Sequence, residues 1–224
     1  MVNHANTTGA NTRLRVLIVE DHAVVRQALH MLLADARYGI DVIGEAGDGA
    51  KAVELALALA PDVILMDLML PDIDGAAATQ AILRQNRMAR VLVLTSDESE
   101  AAGISAVRAG ALGFIRKHAS IDELVNTIHC VAADQLVIPR ALAGALALTP
   151  TPDAGGEQRA LLTPREREVL QYLAAGYSNQ AISSAIGISV DTVRSHVGHL
   201  LPKLGATNRT QAAVNAVNLG LIQQ

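Results

Sequence analysis

The sequence predicts an α/β fold, a doubly wound five-stranded parallel sheet, followed by a small all-α helix-turn-helix domain. Strand-like and helix-like segments alternate five times between residues 14 and 131, which is typical of parallel strands joined by right-handed helical crossovers. Several strand-like segments are unbroken apolar runs, as expected for strands that are buried on both faces. After residue 161 the pattern is entirely helical.

The five predicted strands are short runs bounded by turn-forming residues. They cover residues 14–19, 40–46, 63–66, 91–94 and a run within 111–118. The third run is the clearest of them, because Pro61 precedes it and a Pro-Asp-Ile-Asp-Gly turn follows it at 71–75.

The helices between the strands follow from apolar spacing and from capping residues. The first helix carries four apolar residues at i, i+4, i+7 and i+8, which predicts one buried face: Val25, Leu29, Leu32 and Leu33. Further helices are predicted at 51–59, 75–85 and 98–108. Ser120 and Glu123 form a capping-box pattern that starts the fifth helix.

The C-terminal helices have equally clear start and stop signals. Thr163, Pro164 and Glu166 predict a helix start with a capping box, and Gly176 ends that helix. A short helix capped by Ser178 ends at Gly187, and a longer helix capped by Ser189 follows. A short helix, a glycine-containing turn and a longer helix form the helix-turn-helix pattern. A last helix opens at 208–211.

The chain divides into four predicted segments. Residues 1–12 form a polar, disordered leader, residues 13–138 the α/β domain, residues 139–160 a linker and residues 161–224 the helical domain. The linker assignment rests on the Pro, Gly and Thr content of residues 149–157, and a short helix is predicted before it at 141–148.

Composition excludes several classes of protein. No apolar stretch is long enough to span a bilayer, and the first residues lack the apolar core of a secretory signal. The single cysteine, Cys130, cannot form an internal disulfide, so we expect a cytoplasmic protein with no membrane partner. Aromatic residues make up 2% of the chain, which leaves little material for stacking bases of single-stranded nucleic acid.

Polar side chains follow four of the predicted strands, at the edge where parallel α/β sheets place their ligand sites. Glu20 and Asp21 follow the first strand, Asp67 the third, Thr95 the fourth and Lys117 the fifth. Three converging carboxylates repel each other, so we expect a hard cation among them, Mg²⁺ in preference to Zn²⁺. This set favours transfer of a phosphoryl group to Asp67, with Lys117 and the cation balancing the charge of the phosphoryl oxygens.

The helix that begins after Ser189 presents a polar face that we expect to contact double-stranded DNA. The candidate contact residues are Thr192, Arg194, Ser195, Gly198, His199 and Lys203. Arg194 suits either a guanine edge or a phosphate, and the sequence leaves both open. Asp191 on the same face is better explained as a complement to the helix N-terminus. Pro202 lies inside this helix, so we expect a bend or an end there.

Charge is divided unevenly between the two domains. The formal net charge of the chain is −4; five basic and three acidic residues from Leu161 onward give +2, so the remainder carries −6. A single unit of charge +2 releases few counterions, so we expect tight DNA binding to require a homodimer. We further expect the resting α/β domain to cover the Arg194 face and to release it when Asp67 is phosphorylated.

Together these residues resemble the NarL/FixJ family of two-component response regulators. The resemblance covers residues 13–138, as a flavodoxin-like receiver domain, and residues 161–222, as a LuxR-type helix-turn-helix. It rests on the order of the acid pair, acceptor, hydroxyl and lysine, and on the stretch LTPREREVLQYLAAGYSNQAISSAIGISVDTVRSHV. The chain departs from the family pattern at Glu20, where aspartate is commoner, and at Gly198 and Pro202.

The resemblance implies a role for each matching residue. It makes Asp67 the phosphoacceptor and Lys117 the phosphate partner, and it assigns Thr95 and Phe114 as the switch hydroxyl and switch aromatic. The implied Mg²⁺ ligands are Glu20, Asp21, Asp67 and the backbone carbonyl of Met69. It also implies a sensor histidine kinase as phosphodonor, DNA as target, and a homodimer when the protein is phosphorylated or on DNA.

Two other classes of function are compatible with parts of the pattern. A phosphatase of the haloacid-dehalogenase type also forms an aspartyl phosphate, but it needs a second acid two residues after the nucleophile, where this chain has Met69. A helix-turn-helix regulator that senses a small ligand would leave the acid set and Lys117 unexplained. We therefore expect a regulator that is not an enzyme.

Overall fold

The computed structural model describes residues 13–96, 100–137, 162–206 and 208–222, with the backbone alone described at residue 100. The predicted leader, the predicted short helix at 141–148 and the linker at 149–157 lie outside these ranges.

The N-terminal domain is built on a five-stranded sheet in which every pairing is parallel. The strand order is β2-β1-β3-β4-β5. The strands are β1 Leu14–Val19, β2 Ile40–Ala46, β3 Val63–Asp67, β4 Val91–Thr95 and β5 Gly113–Arg116. The predicted doubly wound sheet is confirmed, since the order reverses direction between β1 and β3.

Helices follow the strands in the predicted order. They are α1 Ala23–Leu33, α2 Gly49–Leu59, α3 Gly75–Gln85, α4 Glu100–Ala109 and α5 Ile121–Ala132, with a 3₁₀ turn at Ala36–Tyr38. Most of the α-helices begin at a side chain that accepts a hydrogen bond from the first turn. At α5, the Ser120 hydroxyl accepts from the Glu123 amide at 3.2 Å, which is one of the two bonds of the predicted box.

Two apolar cores lie on the two faces of the sheet. One contains Leu17, Ile64 and Val93 together with small residues of α2, α3 and α4, and the other contains residues of α5 and the opposite sides of the strands. The predicted face of α1 is only partly buried. Leu33 is fully buried, whereas Leu32 is 50% exposed, because this short helix rests on the sheet through its C-terminal end.

In the described part of the C-terminal domain, four helices surround a separate apolar core. They are α6 Pro164–Ala174, α7 Asn179–Ile186, α8 Val190–Lys203 and α9 Arg209–Asn218. The capping box at Thr163 and Glu166 is complete. The predicted apolar face of α8 is buried, and the helix ends one residue after Pro202. No helix in the described ranges is both long and apolar enough to cross a membrane.

Candidate functional site

The predicted acid site lies at the carboxyl edge of the sheet. The register pairs Val19 with Met66, and Asp67 with Leu94, so the residues that follow β1 and those that end β3 emerge side by side. On the next strand pair, Thr95 lies opposite Arg116, the residue before Lys117. Parallel register therefore brings Glu20, Asp67 and Lys117 together from sequence positions far apart.

Lys117 is the link between the two buried carboxylates. Its Nζ lies 2.7 Å from Glu20 Oε2 and 2.7 Å from Asp67 Oδ2. Glu20 is fully buried and Asp67 is 1% exposed, and such carboxylates need a charged partner to remain ionised. The other oxygen of Asp67, Oδ1, accepts from the Met69 amide at 3.2 Å.

The electrostatics of the site favour the charged forms of Lys117 and Asp21. Burial acts to lower the pKa of Lys117, but the hydrogen bonds and charges of Asp67 and Glu20 together raise that pKa above its usual value. Burial acts to raise the pKa of Asp21, but the hydrogen bonds and charge of His22 outweigh it and lower the pKa overall. Two buried carboxylates and the half-exposed Asp21 thus face a single ammonium group.

Among the described residues, Glu20, Asp21 and His22 form a group whose ligand atoms all lie within 4.8 Å of one another. The His22 ring lies 2.6 Å from Asp21 Oδ1 and 3.3 Å from Glu20 Oε1. The excess of carboxylate charge over Lys117 fits a divalent cation, and the oxygen-rich donor set fits Mg²⁺. Asp67 is not part of this group. The Met69 amide donates to Asp67, and Met69 as a residue is 66% exposed.

The loop after Asp67 is fixed by two contacts. Asp72 Oδ1 and Oδ2 each accept a 2.8 Å hydrogen bond, from the Gly49 and Ala50 amides at the start of α2. Gly75 packs so tightly beneath the loop that any Cβ there would collide with the Asp67 carbonyl oxygen. Asp67 is therefore followed by a firmly held turn, an arrangement that would suit precise positioning of a nucleophile.

Thr95 and Phe114 occupy the neighbouring strands. Thr95 is fully buried at the end of β4, and its carbonyl oxygen accepts from the Lys117 amide at 2.8 Å. Phe114 on β5 lies opposite Val93 and is partly buried against the apolar core that contains Val93. Thr95 lies on the strand next to that of Asp67 and Phe114 lies one strand further, and their switch roles stay a prediction.

The predicted DNA-binding face of α8 is open to solvent. Thr192, Ser195, Gly198 and His199 are exposed, and a Cβ at Gly198 would meet nothing within 4 Å. Arg194 is 48% exposed and donates to Asp191 Oδ1 at 2.9 Å. Asp191 thus orients Arg194, a contact that the predicted role at the helix N-terminus did not include.

Lys203 is placed differently from the other candidates for DNA contact. Its Nζ lies 2.7 Å from both carboxylate oxygens of Glu166, and this pair joins the end of α8 to the start of α6. Burial acts to raise the pKa of Glu166, but hydrogen bonds from Lys203 and Thr163 lower it overall. This geometry gives Lys203 a role in domain stability, while its contact with DNA stays a prediction.

The two domains meet at a polar junction centred on Asp134. This buried residue follows α5 in a left-handed backbone conformation, with φ of 62°. Its Oδ1 accepts from Arg90 Nε at 2.6 Å, and its Oδ2 accepts from Asn179 Nδ2 at 3.0 Å. Arg209 donates in turn to Asn179 Oδ1 at 2.8 Å. Asp134 therefore links the residue before β4 to the start of α7, and Asn179 extends this link to the start of α9.

A second set of contacts joins the start of α9 to the loop before β5. Thr210 Oγ1 donates to the Ala111 carbonyl oxygen at 3.0 Å, and both residues are buried. Gly110, with φ of 103°, packs against Asn208, and a Cβ on Gly110 would collide with that amide group. The N-terminal domain thus packs against the starts of α7 and α9 in the C-terminal domain. The expectation that it covers the Arg194 face is wrong, because docking occurs through α7 and α9.

Sequence reasoning missed two features of these sites. His22 was not among the predicted ligands, and its side chain is 71% exposed, but it contacts both acids. Its position directly after the acid pair was the available signal. Asp134 was not singled out. Many helices are followed by an aspartate, and no local pattern shows which of these aspartates accepts a hydrogen bond from a distant asparagine.

Comparison with known proteins agrees with this architecture. Residues 16–129 match the family described as "Response regulator receiver domain", and residues 160–216 match "Bacterial regulatory proteins, luxR family". Among solved structures, the response regulator ChrA of a heme-sensing two-component system superposes with a TM-score of 0.51. It is 32% identical, and the match covers 94% of this chain and all of that one.

Similar relatives are found among characterised bacterial regulators. The transcriptional regulatory protein LiaR of Bacillus subtilis is 37% identical over 207 residues, which is 91% of this chain and 96% of LiaR. The nitrate/nitrite response regulator NarL of Escherichia coli is 32% identical over 201 residues, or 89% of this chain and 93% of NarL. With the receiver sheet, its acid site and the LuxR-type helices in place, the chain belongs to the NarL/LuxR family of two-component response regulators.

Proposed function

We propose that this DNA-binding transcription regulator is controlled by phosphorylation of Asp67. The observation that carries the proposal is a buried carboxylate on a rigid turn, bonded to Lys117 beside two further acids. An Asp67 oxygen attacks the phosphorus of a phosphohistidine on a sensor kinase, the bond to the imidazole breaks, and Lys117 pairs with the phosphoryl oxygens. A DNA-binding regulator acts where the chromosome is, which supports a cytoplasmic location.

The acid pair is proposed to hold Mg²⁺. Glu20 and Asp21 would supply carboxylate oxygens, with Asp67 and the Met69 carbonyl completing the set. Bound Mg²⁺ would neutralise charge on the transferring phosphoryl group. His22 would have to leave Asp21 or share it, because its ring occupies Asp21 Oδ1.

Removal of Mg²⁺ provides the first test. Labelling of the full-length protein by acetyl phosphate, measured by intact-mass spectrometry, should fall about tenfold or more with EDTA and recover when excess Mg²⁺ is added. Asp21→Asn should show a comparable loss, because it removes a ligand charge. Labelling that proceeds equally well in EDTA would contradict this proposal.

The phosphoryl group is proposed to signal through Thr95 and Phe114. New phosphoryl oxygens would attract the Thr95 hydroxyl, and Phe114 would turn into the space that it leaves. Phe114 belongs to β5, and the Ala111 carbonyl that holds Thr210 lies two residues before that strand. This proximity supports a path from the acceptor to the interdomain junction, and release of the junction would permit a dimer on DNA.

We propose that Arg194 contacts DNA together with Thr192, Ser195, Gly198 and His199. Arg194→Ala should weaken binding to a specific site by about 1–3 kcal/mol if the guanidinium contacts a base. The loss should instead be similar on all sequences, with a smaller salt dependence, if it contacts a phosphate. Fluorescence anisotropy on specific and scrambled duplexes at several salt concentrations distinguishes the two.

Arg37→Ala provides the matched control for Arg194→Ala, because Arg37 is an exposed arginine of the receiver whose side chain is 69% exposed. It removes the same charge from the chain but should leave DNA affinity nearly unchanged. Unchanged affinity for Arg194→Ala as well would place the DNA contact on another surface.

A further inference from the structure

Arg26 on α1 reaches back across the start of its own helix to the acid pair. Its Nη1 donates to the Glu20 carbonyl oxygen at 2.5 Å and approaches the Asp21 carbonyl oxygen at 3.4 Å. The Glu20 amide donates to the Ala46 carbonyl oxygen at 3.0 Å. The peptide groups on both sides of Glu20 are therefore held, one by β2 and one by a guanidinium.

Arg26 is itself held in place by residues of β2 and α1. Its Nε lies 3.3 Å from Glu45 Oε2, and the other oxygen of Glu45 accepts from His30 Nδ1 at 2.6 Å. The Arg26 side chain is only 21% exposed. The guanidinium is thus supported on both of its edges, which suits the fork geometry of arginine.

This arrangement bears directly on the two carboxylates. The direction of the Asp21 side chain follows from the peptide planes on either side of residue 21, and Arg26 contacts the carbonyl oxygens of both. Adjacent acids repel each other, so without a fixed backbone they would turn apart. Glu45 balances the charge of Arg26, so the main effect of Arg26 on the acids is geometric.

We propose that Arg26 is a positioning residue for the acid pair, supported by Glu45, and that it sets the affinity of this site for Mg²⁺. The inference rests on the proposed function, because it assumes that Glu20 and Asp21 hold the ion. Residues that orient metal ligands contribute about 10- to 100-fold to metal affinity. Arg26 would act through backbone carbonyls and would not touch the ion or the phosphoryl group.

The test measures ion binding by the full-length protein, with Mn²⁺ electron paramagnetic resonance and competition by Mg²⁺. Arg26→Ala should raise the dissociation constant about tenfold or more. Arg26→Lys should give an intermediate loss, because a single ammonium cannot contact both the carbonyls and Glu45. At saturating Mg²⁺, acetyl phosphate should label both variants to the wild-type maximum, since no group that touches phosphate has changed.

Glu45 variants separate positioning from general stability. Glu45→Gln keeps a hydrogen-bond acceptor for Arg26 and should bind Mg²⁺ within about threefold of wild type, whereas Glu45→Ala should weaken binding further, toward the tenfold loss of Arg26→Ala. These variants also serve if Arg26→Ala fails to fold. If wild type binds the ion and Arg26→Lys and Glu45→Ala bind it equally well, the positioning role is overturned. If wild type itself binds no ion, the proposed metal site fails instead.

Discussion

Asp67→Ala is expected to abolish phosphoryl labelling of the full-length protein by acetyl phosphate and to leave the fold intact. The nucleophile is lost, while Lys117 keeps its 2.7 Å contact with Glu20. The site therefore retains the Glu20 carboxylate and the Lys117 ammonium group as a pair, and no buried charge is left unpaired. Intact-mass spectrometry measures the label, and circular dichroism with a thermal melt verifies the fold.

Asp62→Ala is the matched control for the acceptor. Asp62 precedes the same strand at its opposite end, where its Oδ2 accepts from the Arg15 amide at 2.8 Å. This variant removes an aspartate beside β3 but leaves the acid site untouched, so it should be labelled like wild type. Label that persists in Asp67→Ala at another residue would show that the acceptor has been misassigned.

Asp134→Asn is expected to raise the DNA affinity of the unphosphorylated protein and to reduce the further gain given by a phosphodonor. Asparagine tolerates the left-handed backbone of this position, so the change removes charge without strain. It weakens the bonds to Arg90 and Asn179 that hold the two domains together. Couplings between sites are commonly about 5- to 150-fold, and we expect a gain near the lower end.

The gain in affinity is measured by anisotropy on the same duplex with and without acetyl phosphate. Asp122→Asn removes an equivalent charge from the exposed side of α5 and should behave like wild type. A fragment of residues 161–224 lacks the junction and should bind DNA without regard to phosphodonor. If Asp134→Asn and wild type bind DNA with equal affinity both with and without acetyl phosphate, the junction does not control DNA binding.

The order and location of the strands were predictable because local patterns determine them. An apolar run of four or five residues between turns identifies a strand, and β1 and β2 were placed to the residue. The ends of β3 and β4 were predicted one residue short, at Met66 and Leu94, because polar Asp67 and Thr95 continue the hydrogen-bond ladder. Side-chain polarity does not reveal where backbone pairing stops.

Contacts between distant elements were less accessible from the sequence. The carboxyl ends of parallel strands lie at one edge of a sheet, so strand direction alone predicted that Glu20, Asp67 and Lys117 would meet there. The exposure of Leu32 depends on how α1 is oriented against the sheet, and helical periodicity does not predict that orientation. The docking surface was predicted on the wrong side of the helix-turn-helix, since neither the charge of a domain nor the composition of a linker specifies which helices meet the receiver.

The shortness of β5 has a consequence for how far a signal must travel. Four residues at about 3.3 Å each give a strand only about 13 Å long. Lys117 follows one end of this strand, and the Ala111 carbonyl that binds Thr210 lies just before the other end. Because β5 is paired to β4 at each of its four residues, we expect an axial displacement of Lys117 to reach Ala111 with little loss. The proposed acceptor site and the docking contact therefore lie at opposite ends of one short strand, and a shift of β5 along its own axis would add to the proposed movements of Thr95 and Phe114.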